Sequence, residues 1–274
     1  MTDSDQLAAV VATELERMQR LQHLGDFGTA GPVPAPPSVA PIIEHPKWTA
    51  GRWIGAKWMA AHPGRVGGPI TPWTTVVHTT DMLPGEFNAL IGRWQTVAAD
   101  GACAHFVIGR TEADGVIQLV PVNRNGQHAG GPQAGRFADA AGRLYHPNLV
   151  AVGIEVHCAG QVRKVAGSWR LVESGKAHGD ALPDADVIAD PNHADRGWHK
   201  VTDFQYQQLA ALLDDLEHVL APLPAGAVTE SLYEQPAPWS LLKGARVTGH
   251  HNLDARNRDD PHRPTYDWLR SRQR

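Results

Sequence analysis

The hydrophobic positions of this chain change period several times, and each change marks an element. Between 5 and 24, Leu7, Val10, Val11, Leu15, Met18 and Leu21 recur at helical spacing, with Asp3 or Ser4 placed to cap. Residues 25–42 are rich in Gly, Ala and Pro and predict an extended linker. Thr74–His78 is β-branched, bounded by Pro72 and Asp81, and predicts a buried strand. Phe87, Leu90, Ile91, Trp94 and Val97 predict a helix over 85–99. Residues 102–110 and 116–120 predict a hairpin about Asp114-Gly115. Residues 149–157 are almost continuously apolar and predict a central strand. Residues 160–200 show no readable period and predict an irregular polar insertion. Thr202 caps a helix to about Leu220 with a stripe from Phe204 to Val219. A Pro-rich connection, a short strand at 245–249 and a helix from Tyr266 close the chain.

The order β-α-β-β-β-α-β predicts an α/β domain with a mixed central sheet flanked by helices. It divides the chain into an N-terminal helix and linker, 1–42, and a domain over 43–274. The N-terminal helix is a candidate docking element for a partner.

Composition narrows the function. The chain has 274 residues, 42% hydrophobic and 20% charged, as in a globular protein. A net charge of −4 without a dense Lys/Arg run argues against nucleic acid as partner. No stretch is long enough to predict a membrane span, and Met1-Thr-Asp-Ser-Asp-Gln6 lacks the pattern of a secretory signal. Cys103 and Cys158 cannot form a disulfide framework. Trp48, Trp53 and Trp58 read as packing residues in preference to glycan platforms.

The candidate chemistry begins at Thr248–Pro261, which holds His250, His251, Arg258, Asp259 and Asp260. Imidazole and carboxylate are ligand types of catalytic zinc, and His78 is the candidate third ligand. Adjacent residues point apart, so one of His250 and His251, and one of Asp259 and Asp260, is expected to face the metal. Glu155 interrupts the 149–157 run, where a carboxylate is costly unless paired or placed at a site.

Five segments, in order, carry a family resemblance: Val76–Thr80; Ala104–Ile108 with Asp114–Val120; His128-Ala-Gly130; Val152–Val156; and Thr248-Gly-His250 with Arg258–Pro261. Together they resemble the zinc-dependent N-acetylmuramoyl-L-alanine amidases of the type-2 amidase and peptidoglycan-recognition-protein superfamily. The resemblance implies one Zn²⁺ held by His78, His250 and Asp260, and an open position for water. It implies Glu155 as general acid/base, and Arg258, where the family usually has lysine, as oxyanion stabiliser. His128 and His105 are implied substrate-binding residues, with His105 read mainly as support. The substrate implied is peptidoglycan or a muropeptide, cut between N-acetylmuramic acid and L-alanine by a monomer. The alternatives are a non-catalytic muropeptide-binding module and a cytosolic recycling amidase. The expected setting is the cell wall, reached by phage release, virion or secretion apparatus. Three positions depart from the pattern: Arg258 cannot readily donate a proton, Ala104 stands where one branch has tyrosine, and His262 follows Asp260-Pro261 where glycine is usual.

Overall fold

The structure is a computed structural model and describes residues 45–96, 102–129, 137–138, 144–173, 176–224, 246–253 and 260–272. The predicted helix 5–24 and linker 25–42, and Arg258 and Asp259, lie outside them.

In chain order the main strands are β1 (Lys57–Trp58), β2 (Thr74–Thr79), β3 (Phe106–Ile108), β4 (Val116–Gln118), β5 (Ala151–Val156), β6 (Gln161–Val165), β7 (Ser168–Glu173), β8 (Lys176–Leu182), β9 (Val187–Asp190), β10 (His193–His199) and β11 (Val247–Gly249). The α-helices are α1 (Phe87–Thr96), α2 (Pro147–Val150), α3 (Asp203–Leu216), α4 (His250–Leu253) and α5 (Arg263–Arg272). None is long and apolar enough to cross a membrane.

The central sheet has six strands in the order β11-β2-β5-β3-β4-β1. The first four run parallel, β4 is antiparallel to β3, and β1 is parallel to β4. The expected mixed sheet is therefore present, with one strand, β1, that has no signal in its two-residue sequence. Helices cover both faces. On one, Val77, Phe106, Ile108, Val152, Ile154 and Val156 pack with Leu209, Leu212, Leu213 and Leu216 of α3 and with Tyr266 and Leu269 of α5. On the other, Val107 and Ile117 pack with Phe87, Leu90, Ile91 and Trp94 of α1. Each fully buried leucine contributes about 1.5–3 kcal/mol, so the α3 stripe alone holds that helix down.

Alternation along the strands then fixes the site. Val77 and Ile154 point at α3, so His78 and Glu155 point to the other face. They are register partners in the β2–β5 ladder. The capping box of α3 adds a tie: Gln205 Nε2 donates to the Ile108 and His157 carbonyls at the ends of β3 and β5.

Residues 160–200 correct the expectation of an irregular insertion. They form a five-stranded antiparallel sheet in the order β8-β7-β6-β10-β9. Val162, Trp169, Leu182 and Val187 make its buried side, with Leu83 and Leu171 packed on them. Two further boundaries move. Pro147–Val150 is a helical turn ahead of β5, because the His146 side chain accepts from Asn148 N–H and Pro147 sits in the first turn. The terminal helix begins at Arg263.

Trp48 and Trp53 are core residues. Their indole N–H groups donate to the Asp215 carbonyl and carboxylate, at 3.1 and 2.8 Å. Trp58 is half-buried beneath the Arg52 guanidinium, 4.0 Å from its ring centre. Cys103 and Cys158 are free and buried, and burial pushes both thiols up to about 12.

Candidate metal centre

The centre sits at the carboxyl ends of three adjacent parallel strands, where open α/β sheets gather ligands. β2 supplies His78. β5 supplies Glu155. β11 ends at Gly249 and passes straight into α4, whose first residue is His250. Gly249 is required at that junction, since a Cβ there would lie 1.9 Å from Tyr266 Oη. Asn252 Oδ1 accepts from Gly249 N–H at 3.3 Å and holds the turn. Asp260 returns to the same place, its carbonyl accepting from His251 N–H at 2.7 Å.

His78, His250 and Asp260 converge. His78 Nδ1 is 3.0 Å from His250 Nδ1 and 3.1 Å from Asp260 Oδ2, and His250 Nδ1 is 3.3 Å from Asp260 Oδ1. All three residues are buried, and one ligand atom from each lies within 4.8 Å of the others. Of the neighbouring pairs left open by the sequence, His250 faces His78, whereas His251 meets Asp260 through its backbone.

The hydrogen-bond chain behind the centre fixes the tautomers. His128 Nε2 lies 3.3 Å from the Ala151 carbonyl, which only accepts, so this nitrogen carries the proton. Its Nδ1 then accepts from His78 Nε2–H at 3.0 Å. A neutral His78 is left with a bare Nδ1 lone pair aimed at a second imidazole nitrogen and at a carboxylate oxygen. Two imidazole nitrogens and a carboxylate oxygen facing one point in a buried site form a donor set able to hold a cation. Two imidazoles and a carboxylate at this spacing fit zinc. Burial alone would push the Asp260 carboxyl up. The neighbouring His250 ring, and the His78 ring after it, outweigh this and hold it well below the ordinary carboxylate range.

His105 and His128 are both buried behind the centre. His105 is fully buried; its Nδ1 accepts from Gly153 N–H at 3.0 Å and its Nε2 donates to the Arg124 carbonyl at 2.8 Å. Both nitrogens are occupied by backbone, so it has none for a substrate. His128 is 7% exposed and lies behind His78. Both are correspondingly hard to protonate: burial lowers His105 to about 4, and burial followed by the His78 ring lowers His128 well below the usual imidazole value. The placement has a physical cause. The loop from Gly126 to Ala129 folds under the sheet end, where Asn148 Oδ1 accepts from His128 and Ala129 N–H.

Asn148 and Gly153 are support residues that the sequence reading passed over. A Cβ at Gly153 would lie 2.3 Å from His128 Cγ. A glycine inside an otherwise apolar strand was the available signal of such a close approach.

The family profile described as N-acetylmuramoyl-L-alanine amidase (Amidase_2) matches residues 69–263, more than two thirds of the chain. No curated protein matches by sequence. Among solved structures, AmpDh3 from Pseudomonas aeruginosa is similar at 17% identity and a TM-score of 0.43, over 74% of this chain and 60% of that one. The amidase AmiD from E. coli, solved with anhydro-N-acetylmuramic acid-L-Ala-D-γ-Glu-L-Lys, is similar at 16% identity and 0.43, over 75% and 59%. The amidase LysC from Clostridium intestinale is similar at 15% identity and 0.38, over 80% and 94%. The chain thus spans about 60% of the length of the first two. With the match running from just before the His78 strand to just past Asp260, the chain belongs to the Amidase_2 family of N-acetylmuramoyl-L-alanine amidases.

Proposed function

We propose that this protein is a zinc-dependent peptidoglycan hydrolase that cuts the amide between N-acetylmuramic acid and the L-alanine of the stem peptide. The observation that carries the reading is the buried His78–His250–Asp260 set with Glu155 in the adjoining register. When bound there, zinc supplies a Lewis acid for the amide carbonyl and lowers the pKa of its water to about 7.

The rest follows from the chain's own residues. The His78 ring is held as a lone-pair donor by its Nε2–H bond to His128. Asp260 stays ionised beside two imidazoles, which keeps the donor set intact at neutral pH. Glu155 points to the same face as His78 and is only partly buried, so its carboxylate can take a proton from water and pass it to the leaving L-alanine nitrogen. We assign Arg258 to the developing oxyanion; its permanent charge suits stabilisation and not proton transfer.

A non-catalytic muropeptide binder is the rival reading. It would not need three converging metal-type ligands with a carboxylate beside them, and all are present here. The discriminating experiment uses Glu155→Gln on purified sacculi with zinc content measured. The expected result is full zinc loading and a loss of L-alanine amine release of about 10²–10⁴-fold. Release as fast as wild type would remove Glu155 from the mechanism, and no release by wild-type protein carrying zinc would favour the binder.

A further inference from the structure

The antiparallel sheet that follows β5 has two faces of different chemistry. Val162, Trp169, Leu182 and Val187 turn inward and pack with Leu83, five residues after His78. The residues one position along turn outward. On that outer face Arg163 of β6 is the register partner of Arg170 of β7 on one side and of Arg196 of β10 on the other. Three guanidinium side chains therefore stand in one row, on strands whose backbones lie about 4.8 Å apart.

Such a row is costly. Like charges directly opposite one another destabilise a sheet, and Arg163 has one on each side. The chain does little to offset the repulsion. Arg163 Nη1 is 3.8 Å from Asp195 Oδ2, with the two side chains 41% and 61% exposed, and a pair so open to water contributes little. Arg170 Nη1 donates to the Gly179 carbonyl at 2.6 Å, which brings no negative charge. Arg196 makes neither a hydrogen bond nor an ion pair among the described residues. Aliphatic side chains flank the row on the same face. Val165 lies two residues after Arg163, and Ile188 of β9 is in register with Trp198, two residues after Arg196; each is 39% exposed.

We propose that this face is an anchoring surface for the substrate polymer, on which Arg163, Arg170 and Arg196 hold the terminal carboxylates of stem peptides other than the one being cut. The inference rests on the peptidoglycan reading above. Charge complementarity argues for this occupant. A stem peptide that is not cross-linked ends in a free carboxylate, and a sacculus repeats that group many times. The guanidinium fork receives a carboxylate through two parallel N–H donors. Val165 and Ile188 offer apolar surface beside it to the small side chains of the same peptides. The face is turned away from Leu83, so the peptide it holds is not the one at the metal centre. The sheet springs from the end of β5, the strand of Glu155, so anchoring raises the local concentration of uncut bonds around the centre.

The test uses the full-length protein. Binding to isolated sacculi is measured by co-sedimentation in a Glu155→Gln background, so that the walls stay uncut. Turnover is measured with Glu155 intact, on sacculi and on a soluble monomeric muropeptide. Combined Arg163→Gln, Arg170→Gln and Arg196→Gln replacement should weaken sacculus binding about 10-fold and raise KM on sacculi by a similar factor, with kcat on the muropeptide unchanged. Arg196→Gln alone removes no partner, so it carries the test should the triple variant fail to fold. It should weaken sacculus binding about 3-fold without lowering the melting temperature. Wild-type binding should fall when the wall carboxylates are converted to methylamides, and persist when attached phosphate polymers are stripped from the walls. Unchanged sacculus binding in both variants would overturn the proposal. Binding that survives amidation and is lost on stripping would also overturn it, by assigning the row to phosphate groups. If wild type leaves the muropeptide uncut, the hydrolase reading beneath fails, and the binding measurements still decide whether the arginine row holds the wall.

Discussion

His78 is the residue at which the sequence and the hydrogen-bond network say most. Replacing it with alanine removes one donor and leaves His128 Nδ1 facing a void, so bound zinc should fall below one equivalent, as read by metal analysis after dialysis. Retained zinc with unchanged activity would remove His78 from the ligand set. Two buried histidines outside the donor set make a second prediction, about pH. Burial lowers His105 to about 4, and burial with the Arg110 charge lowers His199 to about 3, both from 6.5. Between those values and 6.5 the unfolded chain holds more protons than the folded protein, so stability rises with pH across that window. The contribution is complete above 6.5 and is lost as pH falls through the window; for His105 it amounts to about 3 kcal/mol. Denaturant unfolding of the metal-free protein from pH 7 to 4 should show this decline, and flat stability would contradict it. Of these residues, His78, His250, Asp260 and Glu155 were legible because their types are costly inside apolar strands or grouped at a strand end. The places of His105 and His128 were not, because which way a loop histidine turns depends on Asn148 and Gly153, which lie elsewhere in the chain.

Among the elements, β2, β5, α1 and α3 were legible because a buried strand needs a β-branched run and a covering helix needs a 3.6-residue stripe. The sheet from β6 to β10 was not. Its outer face is solvated, so Arg163, Arg170 and Arg196 interrupt short strands whose inward residues are few. Its register becomes apparent only when Val162 is seen opposite Leu171 and Gly197. The helical turn of α2 was hidden by the apolar run that continues into β5. The junction of β11 and α4 carries a prediction of its own. Gly249→Ala would drive a methyl group into Tyr266 Oη, shifting α5 and the His250 turn together. Overpacking of that kind costs about 1–3 kcal/mol, measurable as a lower denaturation midpoint. An unchanged midpoint would mean that Tyr266 gives way freely.

For the molecule as a whole, the family match begins at residue 69, well after the N-terminal stretch. We propose that catalytic competence lies in the domain after residue 42, so removal of residues 1–42 should leave amide cleavage on isolated sacculi unchanged. Loss of activity with zinc still bound would give the stretch a part in the reaction or in substrate engagement. The central claim is the bond cut and its dependence on metal. It is tested most directly by mass spectrometry of sacculi digested with metal-free protein, with protein restored by one equivalent of zinc, and with zinc-treated His78→Ala. The account predicts free N-terminal L-alanine and intact muramic acid carboxylates only with the zinc-restored wild type. Equal cleavage by metal-free protein, or products cut at a glycosidic bond or within the stem peptide, would contradict it.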